Sequence, residues 1–148
     1  MNKNTIRFAF AVNNEDRFEA THFGNANKYL IYEWTNKEFI FIKEEINTFN
    51  SYDDAKLKGL SNKGMACVNL LESSDIKVLV SRQFGNNIQI VNKFFIPVIV
   101  NSETPDEVVS ILKKHIRWIE DELDGKPDGY KLFTIKNGIL KTIIKKDN

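Results

Sequence analysis

The order of hydrophobic and polar residues predicts β-strands in the first third of the chain. Residues 5 to 12 are almost continuously apolar and rich in aromatic and β-branched side chains, which is typical of a strand covered on both faces. Residues 28 to 34 and 38 to 46 form two more apolar runs. The short polar link Thr35-Asn36-Lys37 between them predicts an antiparallel hairpin.

Beyond these strands, segments with helical spacing of apolar residues alternate with strand-like segments. Apolar positions from about residue 60 to residue 74 recur at helical spacing, and the residues on that face are Leu60, Gly64, Cys67 and Leu71. Residues 76 to 80 and 95 to 100 read as two short strands, with a short helix over residues 87 to 93 between them. Pro97 indicates that at least one side of the later strand lies at an edge or an irregularity.

The last third predicts one long helix and a hairpin. Thr104, Pro105 and Glu107 make a helix start with a capping box. The helix is expected to run to about Leu123, with a core stripe formed by Val108, Leu112, His115, Ile119 and Leu123. Asn137-Gly138 predicts a type I′ turn between two final strands, with Phe133, Ile135 and Leu140 on one face.

These elements predict an α/β protein with a mixed sheet and a C-terminal β-hairpin. We expect a single domain over residues 1–148, with a core over residues 5–123 and the hairpin appended over residues 126–148. Strand–helix–strand connections make successive strands parallel, so the strands that begin near residues 5, 76 and 95 should end at the same edge of the sheet. Ligands of open α/β sheets bind at that edge.

Composition limits the classes of function. Twenty-one basic and twenty acidic residues leave a net charge of +1, without the positive excess typical of duplex-binding proteins, so we expect no nucleic-acid partner. The longest apolar run is far shorter than the ~20 residues that span a bilayer. With no signal-peptide pattern and a single cysteine, Cys67, we expect a cytoplasmic protein that does not contact membranes.

The loop Thr21-His22-Phe23-Gly24-Asn25-Ala26, between the first two predicted strands, is the best candidate for chemistry. It carries His22, one of two histidines, whose neutral imidazole can ligate a metal; alternatively, His22 hydrogen-bonds the loop backbone and fixes its shape. A second, weaker candidate is Arg82, which precedes a predicted helix start and could favour an anion. Cys67 and the other histidine, His115, fall on apolar helical faces and are expected to be structural.

Catalysis is not expected. Two-metal hydrolysis needs clustered carboxylates, yet the central strand over residues 6 to 12 carries no acid. Neither histidine has a serine or cysteine in a recognisable nucleophile setting. We therefore expect a protein that is not an enzyme.

Several segments together resemble the dinitrogenase iron-molybdenum cofactor biosynthesis family, a family of small domains with a ribonuclease H-like fold. The resemblance covers roughly residues 5 to 122 and rests on the first strand, His22-Phe23-Gly24-Asn25-Ala26 before Tyr29-Leu30-Ile31-Tyr32, Ser74 to Val80 with the following glycine loop, and Phe95-Ile96-Pro97-Val98. The hairpin lies outside it.

This resemblance implies a cofactor and a site. Members bind iron-molybdenum cofactor or its iron-sulfur precursors, which implies a cluster bound transiently, with His22 as a metal ligand and Phe23 and Gly24 shaping its loop. Arg82 completes the expected cofactor-binding set. The implied role is that of a carrier in metallocluster biosynthesis, as in nitrogen fixation, with cluster donor and acceptor proteins as partners.

The same residues leave a second hypothesis open. Residues 47 to 64 lack the histidines and cysteines that many members of the family carry there. The domain could therefore serve as a metal-free protein-interaction or regulatory module, with the C-terminal hairpin edge pairing with another chain or forming a homodimer.

Overall fold

In the described part of the chain, strong β-forming sequences build a seven-stranded mixed sheet with helices on both faces. The structure is a computed structural model, which describes residues 5–47, 75–84, 88–125 and 129–143. The described strands are β1 Ile6–Val12, β2 Lys28–Thr35, β3 Glu38–Ile46, β4 Val78–Ser81, β5 Ile96–Val100, β6 Leu132–Lys136 and β7 Ile139–Ile143. The described helices are α1 Ile88–Phe94, α2 Pro105–Lys114 and α3 Ile116–Gly125.

The N-terminal half of the sheet is antiparallel, as predicted. Strand β1 pairs with β2, and β2 pairs with β3 through a register shift at Ile31 and Tyr32. The turn between β2 and β3 consists of Asn36 and Lys37, both with positive φ. Two such residues reverse the chain with the twist that an antiparallel pair requires.

The C-terminal half is parallel until the final hairpin. The strand order is β3-β2-β1-β4-β5-β6-β7, and the pairs β1–β4, β4–β5 and β5–β6 are all parallel. The prediction that the strands starting near residues 5, 76 and 95 end at one edge is confirmed. The hairpin continues the same sheet, because β6 lies beside β5.

Two apolar layers enclose the sheet. On one face, even-numbered side chains of β1, β4 and β5 pack against Val108 and Leu112 of α2 and Ile119 of α3. On the other face, Ala9 and Ala11 belong to a second cluster that includes Val91 of α1. Strand β1 is thus buried on both sides, which explains its almost continuously apolar sequence.

Pro97 lies in an internal strand, not at a sheet edge. Strand β5 pairs with β4 on one side and β6 on the other. The amide of Ile96 donates to the carbonyl of Lys77 beside β4, so the nitrogen of Pro97 points toward the β6 side, where pairing begins only at Val98. A proline without an N–H is tolerated there because no ladder bond is lost.

The predicted single helix from Thr104 to Leu123 is wrong. The capping box is present, with Thr104 Oγ1 accepting from the amide of Glu107, but the helix breaks at His115, which has φ −116° and ψ 24°. His115 therefore lies at the α2–α3 junction and not within a helix. Val108, Leu112 and Ile119 still share one buried layer.

The hairpin prediction is confirmed in the described residues. Asn137 and Gly138 have φ values of 54° and 76°, as a type I′ turn requires. Phe133, Ile135 and Leu140 are buried. The predicted helix over residues 60 to 74 lies outside the described residues.

Candidate functional site at the carboxyl edge of the sheet

The loops that follow β1 and β4 meet at the carboxyl edge, as the topology predicted. The amide of Phe23 donates to the carbonyl of Gln83 over 2.8 Å, and Gln83 Nε2 donates to the carbonyl of Ala20 over 3.0 Å. His22 and Gln83 form an isolated parallel bridge. The loop after β5, at Asn101, lines the same open cleft as Arg82.

The histidine loop is anchored by an aromatic stack. Residues Phe23–Asn25 form a short 3₁₀ helix, and the ring of Phe23 is buried. That ring stacks on Tyr29 with a centroid distance of 4.7 Å and on Phe84 with a centroid distance of 5.5 Å. Phe84 belongs to the segment after β4, so the stack joins the two loops.

Hydrogen bonds fix the backbone of the same loop. Asn47, only 2% exposed, donates through Nδ2 to the carbonyls of Gly24 and Ala26, each over 2.9 Å. The hydroxyl of Tyr29 donates to the carbonyl of Phe23 over 3.0 Å. Side chains therefore donate to three carbonyls of this loop, and that of Phe23 also accepts from the amide of Ala26 over 3.4 Å.

His22 is presented outward by this scaffold. Its side chain is exposed, and its backbone carbonyl accepts from the amide of Asn25 over 2.9 Å. The imidazole makes no capping bond to the 3₁₀ helix, and the structure records no hydrogen bond from it to the described part of the chain. Asn47, Tyr29 and Gln83 hold the loop instead, so its shape does not depend on a hydrogen bond from the imidazole.

Arg82 follows β4 on a similarly ordered turn. Ser81 is fully buried, and its hydroxyl donates to the carbonyl of Gln83 over 2.9 Å. Arg82 itself is exposed and has no carboxylate partner among the described residues. It borders an open cleft of about 800 Å³ beside the α2 start.

The remaining walls of this cleft are both apolar and charged. Its lining residues are Asn13, Asp16, Arg17, Phe18, Glu19, Ala20, Leu30, Tyr32, Arg82 and residues 101 to 106. Burial raises the pKa of Tyr32, and the negative charges of Asp106 and Asp16 raise it further. His22 does not line the cleft.

Lys28, a buried lysine at the start of β2, pairs with carboxylates on two neighbouring segments. The ammonium of Lys28 lies 2.7 Å from a carboxylate oxygen of Asp16 and 3.0 Å from one of Glu44. The hydrogen bond to Asp16, followed by that to Glu44, raises the pKa of Lys28 above its usual value. This pairing anchors the turn after β1 to the outer strand β3.

No ready-made metal cage is present in the described ranges. No three of the histidines, cysteines, aspartates and glutamates described are grouped so as to hold a metal ion. His22 adjoins Phe23 and Gly24 in its loop. Arg82 adjoins Gln83, the residue that forms the isolated β-bridge with His22. His115 packs against Trp118 at a centroid distance of 5.0 Å, and Cys67 lies outside the described residues.

Sequence reasoning missed the residues that support the loop. Asn47 lies 23 residues after Gly24, and no local pattern links the two. Gln83 reaches Ala20 across 63 positions. Only Phe84, an aromatic residue in a polar turn, was a visible sign of burial in this segment.

The fold and edge loops define a mixed α/β domain with an exposed histidine at the carboxyl edge of its sheet. The described helices include none long and apolar enough to cross a membrane. The chain belongs to the dinitrogenase iron-molybdenum cofactor family, whose model matches residues 4–116. A comparison with curated proteins found no match. Membership connects the chain with the biosynthesis of nitrogenase-type metalloclusters.

Proposed function

We propose that the protein binds an iron-sulfur or iron-molybdenum type cluster as cargo and passes it on during metallocluster biosynthesis. One observation carries this proposal: His22 is an exposed imidazole on a loop held by other residues. A ligand that is not needed for folding can exchange its metal without disturbing the loop. Family membership supports the identity of the cargo.

His22 supplies one ligand in this proposal, and other molecules supply the rest. Iron-sulfur clusters are held mainly by cysteine thiolates, and none lies among the described residues near His22. Donor and acceptor proteins, or the second subunit of a homodimer, would complete the coordination. Such a shared site favours transient binding, because the cluster leaves with the partner that contributes more ligands.

The role is proposed to be non-enzymatic and cytoplasmic, on a ribonuclease H-like core. The strand order β3-β2-β1-β4-β5, with β2 antiparallel to its neighbours, supports this fold. Strand β1 carries no carboxylate that could hold a catalytic metal. The protein's work would then be binding and release, without a bond-making step.

Anaerobic cluster reconstitution tests this function. We expect His22→Ala to retain the fold, because the imidazole makes no described hydrogen bond, and to take up less cluster by iron and sulfide analysis and by absorption spectroscopy. His115→Gln is the matched control, since it removes the other imidazole, at the α2–α3 junction. Equal uptake by His22→Ala and the wild type would contradict the ligand role.

A second candidate function is a protein-interaction module, and strand β3 favours it. Among the described strands β3 is an outer strand, and it exposes large apolar side chains: Ile40 is 42% exposed, Phe41 50% and Ile46 60%. An outer strand with exposed apolar residues presents unpaired backbone groups and a surface for another chain.

Charged substitutions separate this candidate from a monomeric carrier. If β3 mediates self-association, Ile40→Lys and Ile46→Lys should lower the molecular mass measured by light scattering from that of a dimer to that of a monomer. Ile139→Lys, at a 50% exposed position on the other outer strand, β7, should leave the mass unchanged if β3 and not the hairpin edge mediates association. A monomeric mass for all forms would exclude a β3-mediated homodimer.

A further inference from the structure

The C-terminal hairpin segment carries positive charge without negative charge. Residues 130 to 146 contain five lysines and not one aspartate or glutamate. The rest of the chain has sixteen basic and twenty acidic residues, which give it a net charge of −4. The positive charge of the protein is therefore concentrated in a segment that lies outside the matched family range of residues 4–116.

The pairing of β6 with β7 displays part of this charge on one face of the sheet. The buried side of the hairpin, which packs in the layer of α2 and α3, is formed by Phe133, Ile135 and Leu140. Side chains alternate along a strand, and directly paired residues share a face. The other side therefore carries two opposed pairs, Thr134 with Lys141 and Lys136 with Ile139. We call these four residues the basic hairpin face.

The cations of this surface are not paired within the chain. Lys136 and Lys141 are exposed, and neither has a carboxylate partner in the part of the chain that the structure describes. Glu103 reaches the hairpin turn from the start of α2, where its carboxylate accepts from the amide of Gly138 over 3.3 Å. It keeps its negative charge, but it lines the cleft beside α2 and not the basic hairpin face.

The basic hairpin face is continuous with the surroundings of the histidine loop. An open depression at the carboxyl edge is lined by residues 134–136 of β6, residues 99–101 at the end of β5, and Arg82 and Gln83 after β4. None of these lining residues is acidic. Gln83 also forms the β-bridge with His22. A molecule that covers the hairpin face and this depression would therefore reach the surface next to His22.

We propose that the basic hairpin face docks a partner protein through an acidic surface, and that this partner is a cluster donor or acceptor. Complementary charge steers two proteins together and fixes their relative orientation. Ile139, which is 50% exposed between the lysines, adds an apolar contact. The identity of the partner as donor or acceptor rests on the proposed function, whereas the docking of an acidic chain does not.

The residues of the face favour a protein over a nucleic acid. Proteins that bind single strands stack the bases on aromatic side chains, and none of Thr134, Lys136, Ile139 and Lys141 is aromatic. The net charge of −4 in the rest of the chain opposes a long polyanion more than it opposes a local acidic patch.

A fluorescently labelled peptide of ten glutamates is a suitable probe for the cluster-free protein. Its binding, followed by fluorescence anisotropy, should weaken as salt is added, because salt screens exposed charges. In ¹⁵N-labelled protein the peptide should shift the amide signals of Thr134, Lys141 and Gln83.

Two double variants with the same net charge show whether the hairpin itself binds the peptide. Lys136→Gln/Lys141→Gln should weaken binding about tenfold, the loss expected for two exposed ion pairs. Lys113→Gln/Lys114→Gln removes the same charge from exposed positions of α2 and should weaken binding by less than about twofold. The amide spectrum of each variant verifies its fold.

Three results would overturn the docking proposal. One is an equal loss of affinity in the two double variants, which would mean that only net charge matters. Another is tighter binding of a thymidine oligonucleotide of the same length, which would assign the face to nucleic acid. The third is the absence of shifts at Thr134 and Lys141 at millimolar peptide.

The same probe separates this proposal from the cluster function. His22→Ala should bind the peptide as the wild type does, whatever happens to its cluster uptake. Lys136→Gln/Lys141→Gln should take up cluster as the wild type does, because His22 is unchanged. Failure of one proposal would therefore leave the measurement for the other intact.

Discussion

At the scale of single residues, the group that offers chemistry and the groups that hold the loop are different. His22 is exposed and makes no described side-chain hydrogen bond, whereas Asn47 is buried and satisfies two loop carbonyls. In the proposed carrier, this division would let His22 release a metal without loss of the fold. It also means that mutations at the two positions should have separable effects.

Asn47→Ala should destabilise the protein. The change leaves the carbonyls of Gly24 and Ala26 without these donors in a buried position, which costs about 1–3 kcal/mol in the free energy of unfolding. Urea denaturation followed by circular dichroism measures it. Asn14→Ala, at an exposed turn position, is the control and should change stability by less than about 0.5 kcal/mol. Equal stabilities for the two variants would contradict the role given to Asn47.

The Lys28 network should make stability depend on alkaline pH. The pKa of Lys28 is raised in the folded state by Asp16 and Glu44, so its contribution is complete below the unfolded value of about 10.4 and is lost as the pH rises through the folded value. Tyr32, whose pKa is also raised, acts in the same direction. Unfolding midpoints should therefore fall above about pH 10.

Lys28→Met isolates the contribution of the lysine. Its unfolding midpoint should fall less steeply above about pH 10 than that of the wild type, with the residual slope due to Tyr32 and other groups. Lys93→Met, which removes an exposed lysine of α1, should keep the wild-type slope. Parallel curves for wild type and Lys28→Met would show that the network does not raise the pKa of the lysine.

At the scale of elements, local signals and long-range packing had different predictive value. The capping box and the Asn137-Gly138 turn were predicted because their physics involves only neighbouring residues. The break at His115 leaves no mark in the apolar pattern. Leu112 and Ile119, seven residues apart, lie in one buried layer, as they would in a continuous helix. An apolar pattern with that spacing is the same for one helix or two.

The hairpin turn supplies a matched pair of glycine substitutions. Gly138 has φ +76° and open space around its Cα, so Gly138→Ala should cost about 1–2 kcal/mol from backbone conformation alone. Gly125 also has open space but no positive φ, so Gly125→Ala should be neutral or stabilise by up to about 1 kcal/mol. Thermal unfolding measures both; a loss of similar size at the two positions would mean that the strain at Gly138 is not the cause.

At the scale of the whole molecule, the hairpin is part of the sheet that forms the core. Strand β6 pairs with β5, and Phe133, Ile135 and Leu140 join the apolar layer under α2 and α3. Deleting residues 126–148 would therefore expose this layer and β5 together. Substitutions on β3 and β7 test association more cleanly than that deletion.

Neighbouring positions on β7 test whether the hairpin contributes to the core. Leu140 is fully buried, and Leu140→Ala should lower the free energy of unfolding by about 2–5 kcal/mol. Ile139 is half exposed, and Ile139→Ala should cost under about 1 kcal/mol. Chemical denaturation of both variants gives the comparison, and a small effect at Leu140 would indicate that the hairpin folds apart from the core.

The described strands, the antiparallel start, the parallel continuation and the place of His22's loop at the carboxyl edge were predictable from the sequence alone, whereas the division of the last long helix into α2 and α3 was not. Each predictable feature follows from short-range rules: alternation, capping, turn chemistry and the direction of crossovers. The sequence also identified the family, through segments that span most of the matched range.

The surroundings of that loop depend on contacts between distant parts of the chain. The Asn47 clamp, the Phe23–Tyr29–Phe84 stack and the cleft bearing Arg17 and Arg82 join residues far apart in the chain. Hydrogen bonds and ring contacts act over a few ångströms, and which distant residues come that close depends on the order and register of all seven strands. No local pattern contains that information.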